Sequence, residues 1–104
     1  IDAERIFAYR ALRFARKDKT DLPGFDENEY VPASNANERN IHDLLAEFTV
    51  VRASTLSLLK SFSEEMLGQI GTANQNPISV RSIAYVIGGH EMHHLAVIKE
   101  RYLK

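Results

Sequence analysis

The chain of 104 residues contains no cysteine, which excludes both disulfides and a thiolate metal site. That absence fits a reducing compartment, and a cytoplasmic location is expected. No apolar run approaches the roughly 20 residues needed to span a bilayer, so no membrane partner is expected. A formal net charge of only −1 argues against nucleic-acid binding driven by bulk electrostatics. The N-terminus, Ile1-Asp2-Ala3-Glu4-Arg5, lacks the basic and apolar regions of a signal peptide. It also lacks an initiator Met and opens within a helical pattern, so the chain is expected to begin inside a longer protein.

What is present reads as helix. Apolar content is 44%, ordinary for a globular protein, and the length suits one domain, residues 1–104, with a modest core. Ile6, Phe7, Tyr9, Leu12 and Phe14 predict a helix from Ile1 to about Lys17, with Arg5, Arg10, Arg13, Arg16 and Lys17 as a solvated face. Arg10 is also a candidate for holding an anionic substrate. Residues 18–40 read as a long connection, with a turn at Pro23-Gly24, a short helical turn near Asp26–Tyr30 and a block to helix continuation at Pro32.

Asn40 is a candidate cap for a second long helix, Ile41 to about Lys60, with Ile41, Leu44, Leu45, Phe48, Val51, Leu59 and Phe62 near one stripe. Ser61-Phe62-Ser63-Glu64 has the S-x-x-E form of a capping box and predicts a short helix ending at Gly71. Thr72–Ile78 reads as a polar loop, and no strand pair is expected. Ser79 is a candidate cap for a last helix, Val80 to about Leu103. Tyr9, Tyr85 and Tyr102 are expected to be helix-packing aromatics.

The chemistry concentrates in that last helix, in His90-Glu91-Met92-His93-His94. At about 100° per residue, Val80, Ile83, Ala84, Ile87, His94 and Ile98 share one face. His90 sits toward its side, Glu91 near its middle and His93 just outside. Imidazoles at i and i+4 stand one turn apart on one face and can bite one divalent ion together. Burying such groups without partners would cost several kcal/mol in rough terms, and a metal satisfies them together. His90 and His94 are therefore the candidate metal ligands, His93 a possible supporting residue, and Glu91 a candidate base or orienting group. Gly88-Gly89, just before, suggest either a close helix approach or a local bend. The one remaining histidine, His42, lies at a helix start and is expected to be exposed. The cluster also satisfies H-E-x-x-H of zinc proteases, with Glu91 as general base. Against that reading, only ten residues follow His94, positions 97 and 100 are Val and Glu rather than the Gly and His of the extended motif, and no substrate-binding edge strand precedes the helix.

The run from Arg81-Ser82-Ile83-Ala84-Tyr85 through Gly89-His90-Glu91-Met92-His93-His94-Leu95 to Ile98-Lys99-Glu100-Arg101-Tyr102-Leu103 resembles the last helix of the DinB superfamily, also called the DinB/YfiT-like metalloenzymes. Ile1-Asp2-Ala3-Glu4-Arg5-Ile6-Phe7-Ala8-Tyr9-Arg10 resembles the stretch after that family's first metal histidine. Pro23-Gly24-Phe25-Asp26 and Gly71-Thr72-Ala73-Asn74 are similar to one of its branches. The resemblance implies an all-α, up-and-down four-helix bundle, here missing its first helix, around a three-histidine site for zinc, nickel or a similar divalent ion. His90 and His94 would supply two ligands. The family's first ligand falls just before Ile1, and no residue of this chain matches it.

Two functions follow as expectations. One is a metal-dependent enzyme, a hydrolase or a transferase of a low-molecular-weight thiol, acting on a small-molecule substrate. The other is a non-catalytic, stress-related helical interaction protein whose His pair is structural. A homodimer is expected, through exposed apolar faces.

Overall fold

The computed structural model describes residues 1–88. The elements run α1 (Asp2–Ala15), α2 (Glu27–Ala33), a 3-10 turn (Ala36–Glu38), α3 (Ile41–Lys60), α4 (Glu64–Leu67), β1 (Ile70–Ala73) and β2 (Asn76–Ser79), and residues 80–88 are helical. The described chain is thus mostly helical, with one small sheet.

Local chemistry sets the helix starts. The Asn40 side chain accepts from His42 N–H at 2.7 Å, so α3 begins at the expected cap. Ser79 accepts from Ser82 N–H at 3.0 Å and starts helical residues 80–88 where expected. Asp26 caps α2 in the same way. That helix encloses Pro32 and ends one residue after it, so the proline falls within the last turn instead of stopping the helix ahead of it as expected. The capping box proves displaced by two residues. Ser61 closes α3, its hydroxyl donating to the Leu58 carbonyl, while Ser63 accepts from Met66 N–H to cap α4, which stops at Gly68 rather than Gly71.

The end of α1 is held by a chain reversal. Lys17 takes φ 64°, Lys17 N–H donates to the Phe14 carbonyl and Asp18 N–H to the Arg13 carbonyl. This is the Schellman arrangement, with lysine where glycine is usual.

The polar loop expected at Thr72–Ile78 is instead an antiparallel hairpin, with Ile70 opposite Ser79 and Ala73 opposite Asn76. Asn74 and Gln75 connect the strands at φ 51° and 66°, the both-positive pattern of a type I′ turn, whose twist suits a hairpin. Outside β1, Leu22 N–H donates to the Thr72 carbonyl (2.9 Å) and Asn74 N–H to the Leu22 carbonyl (2.8 Å), so β1 is bonded on both sides. Val80 N–H donates to the Gln69 carbonyl, tying the helix start to the hairpin base.

The core lies where these pieces meet. Ala11, Phe14, Ala15, Leu22, Phe62, Ala73, Val80, Ile83 and Ile87 form one buried cluster, with Phe7, Leu58, Leu59 and Ile78 against it. Val80, Ile83 and Ile87 form the stripe read from sequence. Phe14, at 1% exposed, and Ile83 and Val80 are the largest fully buried side chains, and burying each contributes about 1.5–3 kcal/mol. Gly71 makes the Phe14 contact possible, since a Cβ there would fall 2.1 Å from the ring. No helix among the described residues is long and apolar enough to cross a membrane.

Candidate functional site

His90, Glu91, His93 and His94, and Tyr102 with them, lie outside the described residues. Two observations bear on what leads to them. Helical residues 80–88 enter the core through Val80, Ile83 and Ile87, and a Cβ added at Gly88 would meet none of the described residues within 4 Å. No described helix therefore approaches Gly88 closely, and Gly89 lies outside the described residues. Among the described residues no three His, Asp or Glu side chains converge in a way that could hold a metal ion. His42 is exposed on the first turn of α3, as expected.

The face of α3 toward α1 carries a polar network absent from the sequence reading. The Arg52 guanidinium pairs with Glu4 at 2.5 Å, and the other Glu4 oxygen accepts from the Thr55 hydroxyl at 2.9 Å. Thr55 is buried, and Glu4 and Arg52 nearly so. A charge at position 52, between Phe48 and Leu56 on an otherwise apolar stripe, was the available signal. At the rim, Glu47 of α3 accepts from Arg39 and from Arg5 of α1. Arg39 first, and then Arg5, hold the Glu47 carboxyl below its ordinary pKa.

Two cavities open between α1 and the segment that follows it. One, of about 490 Å³, lies at the start of α1 and is lined by Ile1, Phe25, Tyr30, Val31, Arg39 and Glu47 among others. The second, of about 460 Å³, lies farther along α1, with Arg5, Tyr9, Arg10 and Arg13 on one side and Leu22–Phe25 and Tyr30 on the other. Phe25 and Tyr30 belong to both, their rings 5.2 Å apart and tilted by 54°.

The solvated face expected of α1 divides here. Arg10 is only 9% exposed, donates to the Pro23 carbonyl at 2.9 Å and lies 5.8 Å from the ring centres of both Phe7 and Phe25. Arg13 bonds Asp18 at 2.7 Å and the Tyr9 hydroxyl at 3.1 Å. Arg13 first, and then Thr20 N–H, hold the Asp18 carboxyl well below its usual range. Tyr9 and Tyr85, expected to pack between helices, are exposed instead, Tyr85 at 75%.

Among the described residues the protein is mostly helical, its helices close on a β-hairpin, and two clefts flank α1. The sequence model of the DinB superfamily matches residues 1–98, and the chain belongs to that superfamily. No curated protein and no solved structure matches it.

Proposed function

We propose that the protein is a divalent-metal-dependent enzyme of the DinB-like group, with His90 and His94 as two of its ligands. The observation that carries this reading is the family match, whose span, residues 1–98, contains both histidines. The donor chemistry is compatible. Neutral imidazoles suit zinc and nickel, and a histidine set with an open position is the pattern of catalytic rather than structural sites. The complete fold in this reading is a four-helix bundle, with α1, α3 and the helix begun at Val80 among its members.

When bound, such a metal lowers the pKa of a coordinated water or thiol and supplies a nucleophile near neutral pH. The resulting reaction class is hydrolysis, or transfer of a low-molecular-weight thiol to a small substrate. Glu91, between the two histidines in sequence, is the residue proposed to accept a proton or orient a ligand, with His93 in support.

The test is the metal content of the purified intact protein beside His90→Ala and His94→Ala. We expect about one divalent ion per chain in the parent, as for one catalytic site, and loss from both variants. Metal retained one-to-one in both would overturn the assignment. Ile41, Leu45 and Leu56, exposed along α3, support a homodimer as part of the proposal, which light scattering would test. An intact protein without metal would instead favour the non-catalytic interaction protein.

A further inference from the structure

We propose that the cleft between α1 and residues 22–30 binds a small organic carboxylate with a flat apolar body, its charge held by Arg10. The inference is independent of the metal reading and uses none of its residues.

The starting point is a buried charge that two aromatic rings and one carbonyl face but no carboxylate pairs among the described residues. Arg10 is nine-tenths buried, yet among the described residues no carboxylate lies within ion-pairing distance of it. A buried cation is ordinarily paired, because desolvation penalises a lone charge. A guanidinium carries five N–H donors, and among the described residues one backbone carbonyl, that of Pro23, accepts from Arg10. Tethering the Pro23 turn needs a single donor and no charge. The remaining donors belong to a side chain that lines the cleft.

The surroundings specify the ligand. The residues lining the cleft include three arginines and no Asp or Glu. Arg5 and Arg13 are already bonded to Glu47 and Asp18. Arg39 shares Glu47 with Arg5, and Arg10 is the one cleft-lining arginine without a carboxylate partner among the described residues. The planar fork of Arg10 suits the two oxygens of a carboxylate. Tyr9, Phe25 and Tyr30 supply aromatic walls, and about 460 Å³ falls within the usual size of small-molecule pockets.

Benzoate and its neutral isostere benzamide are the probes, titrated into the intact protein and followed by amide NMR shifts. We expect benzoate to shift the amides of Leu22, Gly24 and Phe25, and benzamide to do so at least about tenfold more weakly, as for loss of a charge-assisted bidentate contact. Arg10→Lys keeps a donor and a charge but loses the fork, and is expected to weaken benzoate about tenfold. Tyr30→Ala, at an exposed position where truncation is expected to be tolerated, is expected to weaken it several-fold. His94→Ala is expected to leave benzoate binding unchanged. Equal shifts with benzamide, no shifts with benzoate, or an undiminished response in Tyr30→Ala would each overturn the proposal. So would loss of the response in His94→Ala, which would assign the anion to the metal site. Should Arg10→Lys fail to fold, the benzoate–benzamide ratio and Tyr30→Ala still decide.

Discussion

The hairpin end of the molecule and the α2–α3 side are built on different terms. Around β1, each layer locks the next: Phe14 lies on Gly71, Leu22 bonds β1 from outside, and Val80 bonds the hairpin base. On the other side, α2 buries no residue, α3 buries only Val51 and Thr55, and Ile41 and Leu45 are more than half exposed. Toward the start of α1 the contacts that join that side to it include the Glu4–Arg52–Thr55 network and the Arg5–Glu47 pair, while Leu58 and Leu59 reach the core only at the far end of α3. Side-chain caps from Asp26 and Asn40 set the starts of α2 and α3. A fixed arrangement needs dense apolar contact as well, and the described residues place that contact at the hairpin end.

The sharpest test of this asymmetry compares Phe14→Ala with Leu45→Ala in urea unfolding. Phe14→Ala should cost about 3–5 kcal/mol, as for a fully buried aromatic, and Leu45→Ala under about 1 kcal/mol. Similar losses would mean that the two sides are equally packed. Next in size is Gly71→Ala, which drives a methyl group into the Phe14 ring and should cost about 1–3 kcal/mol. The opposite sign is expected at the turn. Gln75 holds a positive φ that glycine adopts freely, so Gln75→Gly should stabilise by about 0.5–1 kcal/mol in thermal melts, and no gain would argue against the type I′ turn.

The smallest effect is electrostatic. Asp18 and Glu47 both have pKa values held below the ordinary range in the fold. Their contribution is fully present above the unfolded carboxylate pKa values of about 4, and is lost as pH falls below them toward the folded values. Asp18→Asn should therefore reduce stability at neutral pH and flatten its acid dependence below about pH 4. An unchanged acid limb would remove Asp18 from the balance.

The legible parts of the fold were those fixed by neighbours in sequence. Asn40, Ser79 and the Val80–Ile83–Ile87 stripe act within one or two helical turns, and each stands where the pattern put it. The hairpin was missed because its signals are weak. Asn-Gln replaces the usual Asn-Gly at the turn, and Pro77 falls inside a strand that proline normally argues against. The capping box went astray because Ser61 and Ser63 both offer a hydroxyl near Glu64, and only the C-terminal geometry of α3 distinguishes them. The burial of Arg10 was hidden because its acceptor, the Pro23 carbonyl, lies thirteen residues away across a loop. The histidine cluster was the plainest motif in the sequence, and it lies outside the described residues.

Pro77 has a role beyond the shape of the turn. Counting outward from a two-residue turn, the Thr72–Pro77 pair is of the non-hydrogen-bonded type, so the Pro77 nitrogen faces away from β1. Among the described residues nothing pairs with that outer edge of β2. An exposed strand edge is a template for other chains, and here the missing N–H removes a donor from its middle. A residue that weakens the case for a strand in the sequence thus also makes the finished strand's edge a poorer template for another chain.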